Sequence, residues 1–180
     1  MRWLTVMLML AASAARAGEY SRTAFGDGWL DLDGDGRDAR EEALNAARQS
    51  IDWWWGRYTG QPVFDASRLD VDHVVPLAWA WERGAREWPA ERRERFANDP
   101  ANLLPVIAGA NRSKGSRGPD EWMPANVAAW SDYLDRFEAV VAKYGLGVSE
   151  AERETFACLR RLAERHAIGI KVAGFVSCGG

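Results

Sequence analysis

The residues best suited to chemistry lie between positions 70 and 114. His73, one of only two histidines in the chain, follows Asp72 in the run Asp70-Val-Asp-His-Val-Val-Pro-Leu. An imidazole can accept a proton near neutral pH, so His73 is a candidate general base. The carboxylate of Asp72 and the amide oxygen of Asn111 are hard donors, which suit Mg²⁺, Mn²⁺ or Ca²⁺ better than Zn²⁺. A base beside such a cation is what hydrolysis of a phosphodiester needs.

Other polar side chains in the same stretch suit supporting roles. Asn102 cannot act as a base, but its amide can hydrogen-bond the backbone and lock the loop around His73. Lys114 and Arg112 lie in a cation-rich segment with no acidic residue before Asp120, and they can hold phosphate oxygens. Taken singly, these residues favour structural roles, because an isolated Asp-His pair is usually structural and Asn near Gly is common in turns. Their combination in this order favours the chemical interpretation.

A second acidic motif precedes this stretch. Its residues match the pattern D-x-D-x-D-G-x5-E of an EF-hand calcium loop, and they are Asp31, Asp33, Asp35, Gly36 and Glu42. The sequence has one copy of the motif and no clear helix before it. An acidic turn that caps the next helix is an equal alternative, since acidic residues favour a helix N-terminus. A separate Ca²⁺ site and a helix-capping turn both remain open.

Short elements of both types must position these side chains. Alternation of apolar residues with aspartates predicts a strand over 69–75 that Pro76 ends, and residues 102–107 predict a second strand. Residues 109–118, rich in Gly and cations, predict a loop or short helix. Helices are predicted over 38–51 and 78–97, from Val127 to a stop at Gly145, and from the Ser149–Glu152 capping box onward. The tryptophans at positions 53–55, 79, 81 and 88 are expected in the core. The predicted fold class is α+β, with a small two-stranded sheet embedded among helices.

The N-terminus has the layout of a secretory signal peptide over residues 1–17. A positive start, an apolar run from Leu4 to Ala12 and the small-x-small site Ala15-Arg-Ala follow one another. The run is shorter than the roughly 20 residues of a membrane-spanning helix, so no stable membrane association is expected. Residues 18–180 then fit a single domain of a secreted or periplasmic protein. Its Cys158 and Cys178 form either one disulfide, which we favour, or two free thiols.

The stretch from Asp70 to Trp122 closely resembles the HNH, or ββα-metal, nuclease motif. The matching segments are Leu69-Asp-Val-Asp-His-Val-Val-Pro-Leu, Arg95-Phe-Ala-Asn-Asp-Pro-Ala-Asn-Leu-Leu, Ala110-Asn-Arg-Ser-Lys-Gly and Pro119-Asp-Glu-Trp-Met-Pro. The chain is most similar to secreted HNH endonucleases related to the C-terminal domain of GmrSD-type restriction enzymes. The resemblance implies a ββα-metal core with His73 as the general base and one divalent metal on Asp72 and Asn111. It also implies that Asn102 braces the core, that Lys114 contacts phosphate, and that Arg40 lines the cleft and holds phosphate.

The activity implied by the resemblance is Mg²⁺- or Mn²⁺-dependent cleavage of DNA, with RNA as a further candidate substrate. Sequence preference is expected to be weak, because no segment looks like a base-reading module. A formal net charge of −3 argues against a protein that coats nucleic acid by charge alone. Two rival functions are a secreted calcium-binding protein with a decayed HNH region, and a toxin or defence nuclease that depends on a partner.

Overall fold

The computed structural model describes residues 19–50, 53–170 and 178, and its architecture is mixed α+β. Its helices are α1 (Ala39–Ala46), α2 (Leu77–Glu82), α3 (Ala90–Asn98), α4 (Ala108–Lys114), α5 (Trp130–Tyr144) and α6 (Glu150–Ala167). Its strands are β1 (Arg48–Ser50), β2 (Trp53–Gly56), β3 (Gln61–Val63), β4 (Leu69–His73) and β5 (Leu103–Ile107). The predicted signal peptide over 1–17 lies outside the described residues. Among the described residues, no helix is both long and apolar enough to cross a membrane.

The prediction of a helix over 38–51 is correct at its start and wrong beyond Ala46. The Asp38 carboxylate accepts the Glu41 N–H, and the Glu41 side chain reaches back to the Asp38 N–H, which begins α1 with a capping box. After α1 the chain forms β1, the edge of an antiparallel sheet of order β1-β2-β3. The buried Trp54 explains the turn, because its indole N–H donates to the Leu44 carbonyl at the end of α1 (2.8 Å). Residues 48–50, which were predicted to continue the helix, pair with β2 as a strand instead.

The helix predicted over 78–97 is also divided, into α2, a single 3-10 turn and α3. Gly84 separates the first two with a φ of +120°, a backbone conformation that side chains other than glycine rarely adopt. Pro89 precedes α3 in an extended conformation and has no N–H to continue a helix from the preceding turn. Local backbone chemistry therefore overrides the continuous helical pattern of charges.

The second sheet, β4 paired with β5, is the small antiparallel sheet that the sequence predicts. Asp72 lies opposite Leu104 and His73 opposite Leu103. The predicted strand over 69–75 ends at His73. Beyond it the backbone leaves the regular ladder, and the Val74 N–H donates to the Asn102 carbonyl (2.8 Å). β5 runs directly into α4, which packs against both strands. The segment 109–118 is therefore largely helical.

The main core lies between α2, α3, α5 and α6 and is rich in aromatic rings. Trp79, Trp81 and Trp88 are buried in it, as predicted, and Trp79 meets Phe137 edge-on at 5.0 Å between ring centroids. Gly145 ends α5 in the left-handed conformation, and Ser149 begins α6 with the predicted capping box. Trp55 is 43% exposed, because it alternates with the buried Trp54 along β2. The core expectation is therefore wrong for Trp55, and it also fails for Trp53, which is only partly buried and lies in none of the core clusters of the described residues.

Cys158 on α6 and Cys178 are joined by a disulfide across 20 residues, which confirms the favoured alternative. Replacing both cysteines by serine should lower the free energy of unfolding by roughly 2–3 kcal/mol, because the cross-link restricts the unfolded chain. Urea denaturation of the oxidised protein and of the double variant measures the difference. Equal midpoints and slopes would contradict the expectation.

Candidate active site

Two side chains of α4 meet two side chains of β4 on one face of the small sheet. Asp70 and Asp72 share that face because residues two apart in a strand point the same way. Asn111 and Lys114 share a face of α4 because they are three residues apart. Asn111 Nδ2 lies 3.4 Å from Asp70 Oδ2, and Lys114 Nζ lies 2.9 Å from each carboxylate oxygen of Asp72. Asp72 and Asn111, the predicted metal ligands, line the same cleft.

Lys114 is placed differently from the phosphate-contacting cation suggested by the sequence. Its side chain is fully buried, and its ammonium donates to both oxygens of Asp72 and to the His73 carbonyl (2.7 Å). Burial lowers the pKa of Lys114 and raises the pKa of Asp72, while the attraction between the two groups opposes both shifts. In this arrangement Lys114 balances the charge of Asp72 and does not face the open cleft.

Tyr58 completes the surroundings of Asp72. Its hydroxyl donates to Asp72 Oδ2 at 2.7 Å, and the side chain is 1% exposed. Burial and the neighbouring carboxylate raise the pKa of Tyr58 well above its usual range, so the phenol remains a donor. The sequence offers no local signal for this contact, because Tyr58 sits in a turn 14 residues before its partner.

His73 lies at the end of β4 and is held by two contacts. Its ring stacks on Trp29, with centroids 5.5 Å apart and planes 9° apart, and its Nε2 lies 2.8 Å from the Ala97 carbonyl. A carbonyl accepts only, so Nε2 carries the hydrogen and Nδ1 holds the basic lone pair. Burial lowers the pKa of His73 to about 4, partly opposed by the Ala97 hydrogen bond. The imidazole is therefore neutral near pH 7 and able to accept a proton.

Asn102 makes the backbone contacts that its residue type led us to expect. Its Oδ1 accepts the Val75 N–H (2.8 Å) and its Nδ2 donates to the Val75 carbonyl (3.2 Å). The Asn102 side chain is fully buried, directly before β5, and its partner Val75 lies two residues after His73, the last residue of β4. These hydrogen bonds fix residues 74–75 to the start of β5 and hold His73 in place through the backbone.

A polar cleft of about 430 Å³ joins these groups. Arg22 and Arg40 line it together with Asp70, Asp72, His73 and Asn111. Arg112 is exposed and is not among the residues that line this cleft, so the structure separates it from Arg40. The sequence gives no reason to single out Arg22 or Trp29, which both line the cleft. They lie in a polar, Gly-containing segment far before His73 in the chain, and that segment has no pattern that indicates a site.

The donors in the cleft fit a divalent cation. A carboxylate offers about four lone-pair positions, and three hydrogen bonds from Lys114 and Tyr58 occupy three of those on Asp72. One position on Oδ1 is left for a cation, and the amide of Asn111 and the half-buried carboxylate of Asp70 line the same cleft. Oxygen donors of this kind suit Mg²⁺ or Mn²⁺.

The acidic loop before α1 forms a separate cluster. Carboxylate oxygens of Asp31, Asp33 and Asp35 lie within 4.8 Å of one another, and all three residues are exposed. Asp31 accepts the Gly34 and Gly36 N–H groups, and backbone hydrogen bonds lower its pKa. Glu42, the fourth carboxylate of the predicted loop, is not among the residues that cluster within this distance, and burial and the nearby aspartates raise its pKa. Capping-type hydrogen bonds and clustered oxygens occur together here, so both interpretations of the loop stay predictions.

The fold and the site define an α+β protein with one polar cleft, which is lined by the neutral His73, by Asp70 and Asp72 and by the amide of Asn111. The chain belongs to the family described as GmrSD restriction endonucleases, C-terminal domain, which matches residues 34–157. It is also 34% identical over 147 residues to an uncharacterized secreted protein of Arthroderma benhamiae, covering 74% of this chain and 71% of that protein. No solved structure matches it significantly.

The lowered pKa of His73 predicts how the chain responds to acid. The folded pKa of about 4 lies below the ordinary 6.5, so the folded state binds fewer protons between these values than the unfolded chain. The contribution of His73 to stability should be complete above pH 6.5 and decrease as the pH falls towards 4. NMR titration of the two imidazoles, assigned with His73→Ala, should show the His73 ring still neutral at pH 5. A His73 midpoint near 6.5 would contradict this expectation.

Proposed function

We propose that this chain is a secreted, divalent-metal-dependent endonuclease of the HNH type. Its substrate is DNA, with RNA as a second candidate, and its sequence specificity is low. The observation that carries the proposal is the arrangement of His73: Nε2 is bound to the Ala97 carbonyl, which leaves Nδ1 basic in a cleft shared with Asp72 and Asn111. Membership of a restriction endonuclease domain family supports it. The secreted relative and the disulfide support export of the chain.

In this proposal β4, β5 and α4 form the ββα-metal core. β4 carries His73 and Asp72, β5 returns antiparallel beside it, and α4 follows at once with Asn111. Asp72 and Asn111 would hold one Mg²⁺ or Mn²⁺, with Asp70 close by. When bound, such a cation stabilises negative charge on the phosphate and on the leaving oxygen.

The chain's own residues supply the proton transfer and the substrate contacts. Nδ1 of His73 takes a proton from a water molecule, whose oxygen forms a bond to phosphorus while the bond to the 3′ oxygen breaks. The leaving 3′ oxygen takes up a proton from solvent water. The products carry a 5′ phosphate and a 3′ hydroxyl. Arg40 holds phosphate oxygens at the side of the cleft, and Asn102 keeps the base in place through Val75. Because His73 is neutral at pH 7, it needs no prior deprotonation.

A secreted calcium-binding protein is the second candidate function. The clustering of the Asp31, Asp33 and Asp35 oxygens favours it, and the site would be the loop 31–42. That function predicts no phosphodiester cleavage, and no effect of His73→Ala beyond packing.

Plasmid cleavage by residues 18–180 tests the proposed function. The protein should nick or degrade the plasmid with Mg²⁺ or Mn²⁺ and lose this activity in EDTA. His73→Ala should reduce the rate by roughly 10²- to 10⁴-fold, because a positioned general base contributes that much. His166→Ala is the matched control, since it removes the other histidine, which lies on α6. Wild-type rates in His73→Ala, or no cleavage of DNA or RNA with any metal, would overturn the proposal.

The two predicted phosphate-binding arginines should differ in their effects. Arg40 lines the cleft, whereas Arg112 is exposed outside its lining. Arg40→Ala should raise KM and lower the salt dependence of DNA binding by about one unit of log–log slope, as expected for one lost phosphate contact. Arg112→Ala should change KM and the salt dependence of DNA binding less than Arg40→Ala does. Fluorescence anisotropy of a labelled duplex at several salt concentrations measures the slopes, and equal effects of the two variants would contradict the separation.

A further inference from the structure

Tyr58 and Lys114 together enclose the carboxylate of Asp72. Lys114 Nζ is 2.9 Å from both oxygens, and the Tyr58 hydroxyl is 2.7 Å from Oδ2. All three side chains are buried. A carboxylate with a single partner can rotate about its terminal bond, whereas one held from two directions cannot do so without losing a hydrogen bond.

We propose that Tyr58 is a positioning residue for the metal site: with Lys114, it fixes the Asp72 carboxylate so that the remaining lone pair of Oδ1 faces the cation. This inference rests on the proposed function, because it takes Asp72 as a metal ligand. It assigns a role to a side chain outside the β4–β5–α4 unit.

The surroundings of Tyr58 make it rigid enough for this role. Its ring packs edge-on against Trp122 and Tyr133, at 5.0 and 5.6 Å between centroids. Its carbonyl accepts the Asn126 N–H at 3.0 Å. The hydroxyl therefore has little freedom to leave Asp72, and the position of the carboxylate is transmitted from the packed core to the cleft.

Lys114 provides the second half of the arrangement. It lies one helical turn after Asn111 on α4, so the ion pair with Asp72 also sets how far Asn111 stands from β4. Partners that orient a metal ligand in this way typically change metal affinity by 10- to 100-fold when they are removed. Tyr58 is the better residue to vary, because loss of Lys114 would leave the buried Asp72 charge unpaired and strongly destabilise the fold.

The chain contains a matched control for Tyr58→Phe. Tyr133 belongs to the same buried aromatic cluster, but within the described part of the chain its hydroxyl has no hydrogen-bond partner. Tyr133→Phe therefore removes the same oxygen from the same cluster without touching Asp72. A difference between the two variants reports the contact with the carboxylate and not the loss of a hydroxyl as such.

The test is Mn²⁺ binding to residues 18–180 in the absence of substrate, followed by the EPR signal of free Mn²⁺. Tyr58→Phe should weaken binding roughly tenfold, Tyr133→Phe should match wild type, and Asp72→Asn should abolish binding at the cleft. In plasmid cleavage, Tyr58→Phe should need a correspondingly higher Mg²⁺ concentration and approach the wild-type rate at saturation. A purely structural defect would lower that limiting rate and would not be rescued by metal.

Each other outcome bears on a different claim. Equal Mn²⁺ affinities of Tyr58→Phe, Tyr133→Phe and wild type would overturn the positioning role while leaving the nuclease proposal intact. Mn²⁺ binding that is unchanged by Asp72→Asn when Asp31, Asp33 and Asp35 are also replaced by asparagine would overturn it as well, because Asp72 would not be a ligand. Failure of the nuclease proposal is seen separately, as the absence of metal-dependent cleavage by the wild-type protein.

Discussion

The buried carboxylate of Asp72 is the constraint on which the site depends. An ionised group removed from water must be paired and hydrogen-bonded, and leaving such a group unpaired costs several kcal/mol. Lys114 and Tyr58 meet this requirement from two different parts of the chain. Lys114 can do so only if α4 follows β5 closely and packs on β4, and Tyr58 only if the turn after β2 reaches the core. The positions of α4 and of the turn after β2 therefore both depend on the need to pair the Asp72 carboxylate.

The spacing of the β4 residues follows from the same constraint. Alternation along a strand sends Asp70 and Asp72 to the face covered by α4 and sends His73 to the opposite side, against Trp29 and Ala97. Asp72 and His73, which are adjacent in sequence, therefore both line one cleft although their side chains lie on opposite sides of β4. The end of β4 makes this possible, because Asn102 binds Val75 and turns the chain away immediately after His73.

Local signals predicted the parts of the fold that local chemistry determines. Alternation predicted β4, a short apolar run predicted β5, and helical spacing with Gly145 and Ser149 bounded α5 and α6. The His-Asn-Asn pattern predicted His73 and Asn111, which line the cleft, and Asn102, which braces it. The helix predicted over 78–97 is divided for local reasons, at Gly84 and Pro89, whereas the other failures come from long-range contacts. The Trp54 indole N–H donates to a carbonyl in the last turn of α1, and the Tyr58 hydroxyl donates to Asp72 inside the core. Neither contact is visible in a local sequence pattern. Lys114 looked like an exposed cation because it stands in a Gly- and Arg-rich segment. Only the tertiary pairing with Asp72 shows why it is buried.

The ion pair between Asp72 and Lys114 also affects the formal charge of the cleft in a chain that is acidic as a whole. The formal net charge is −3, so the surface as a whole repels phosphate. Within the cleft the balance differs: Arg22 and Arg40 contribute +2, Asp70 contributes −1, and the Asp72–Lys114 pair contributes zero, which sums to +1. Without Lys114 the same sum would be zero, and without the arginines the cleft would be negative. The buried lysine thus contributes to the formal charge around the cleft by neutralising Asp72 and not by lining the cleft itself.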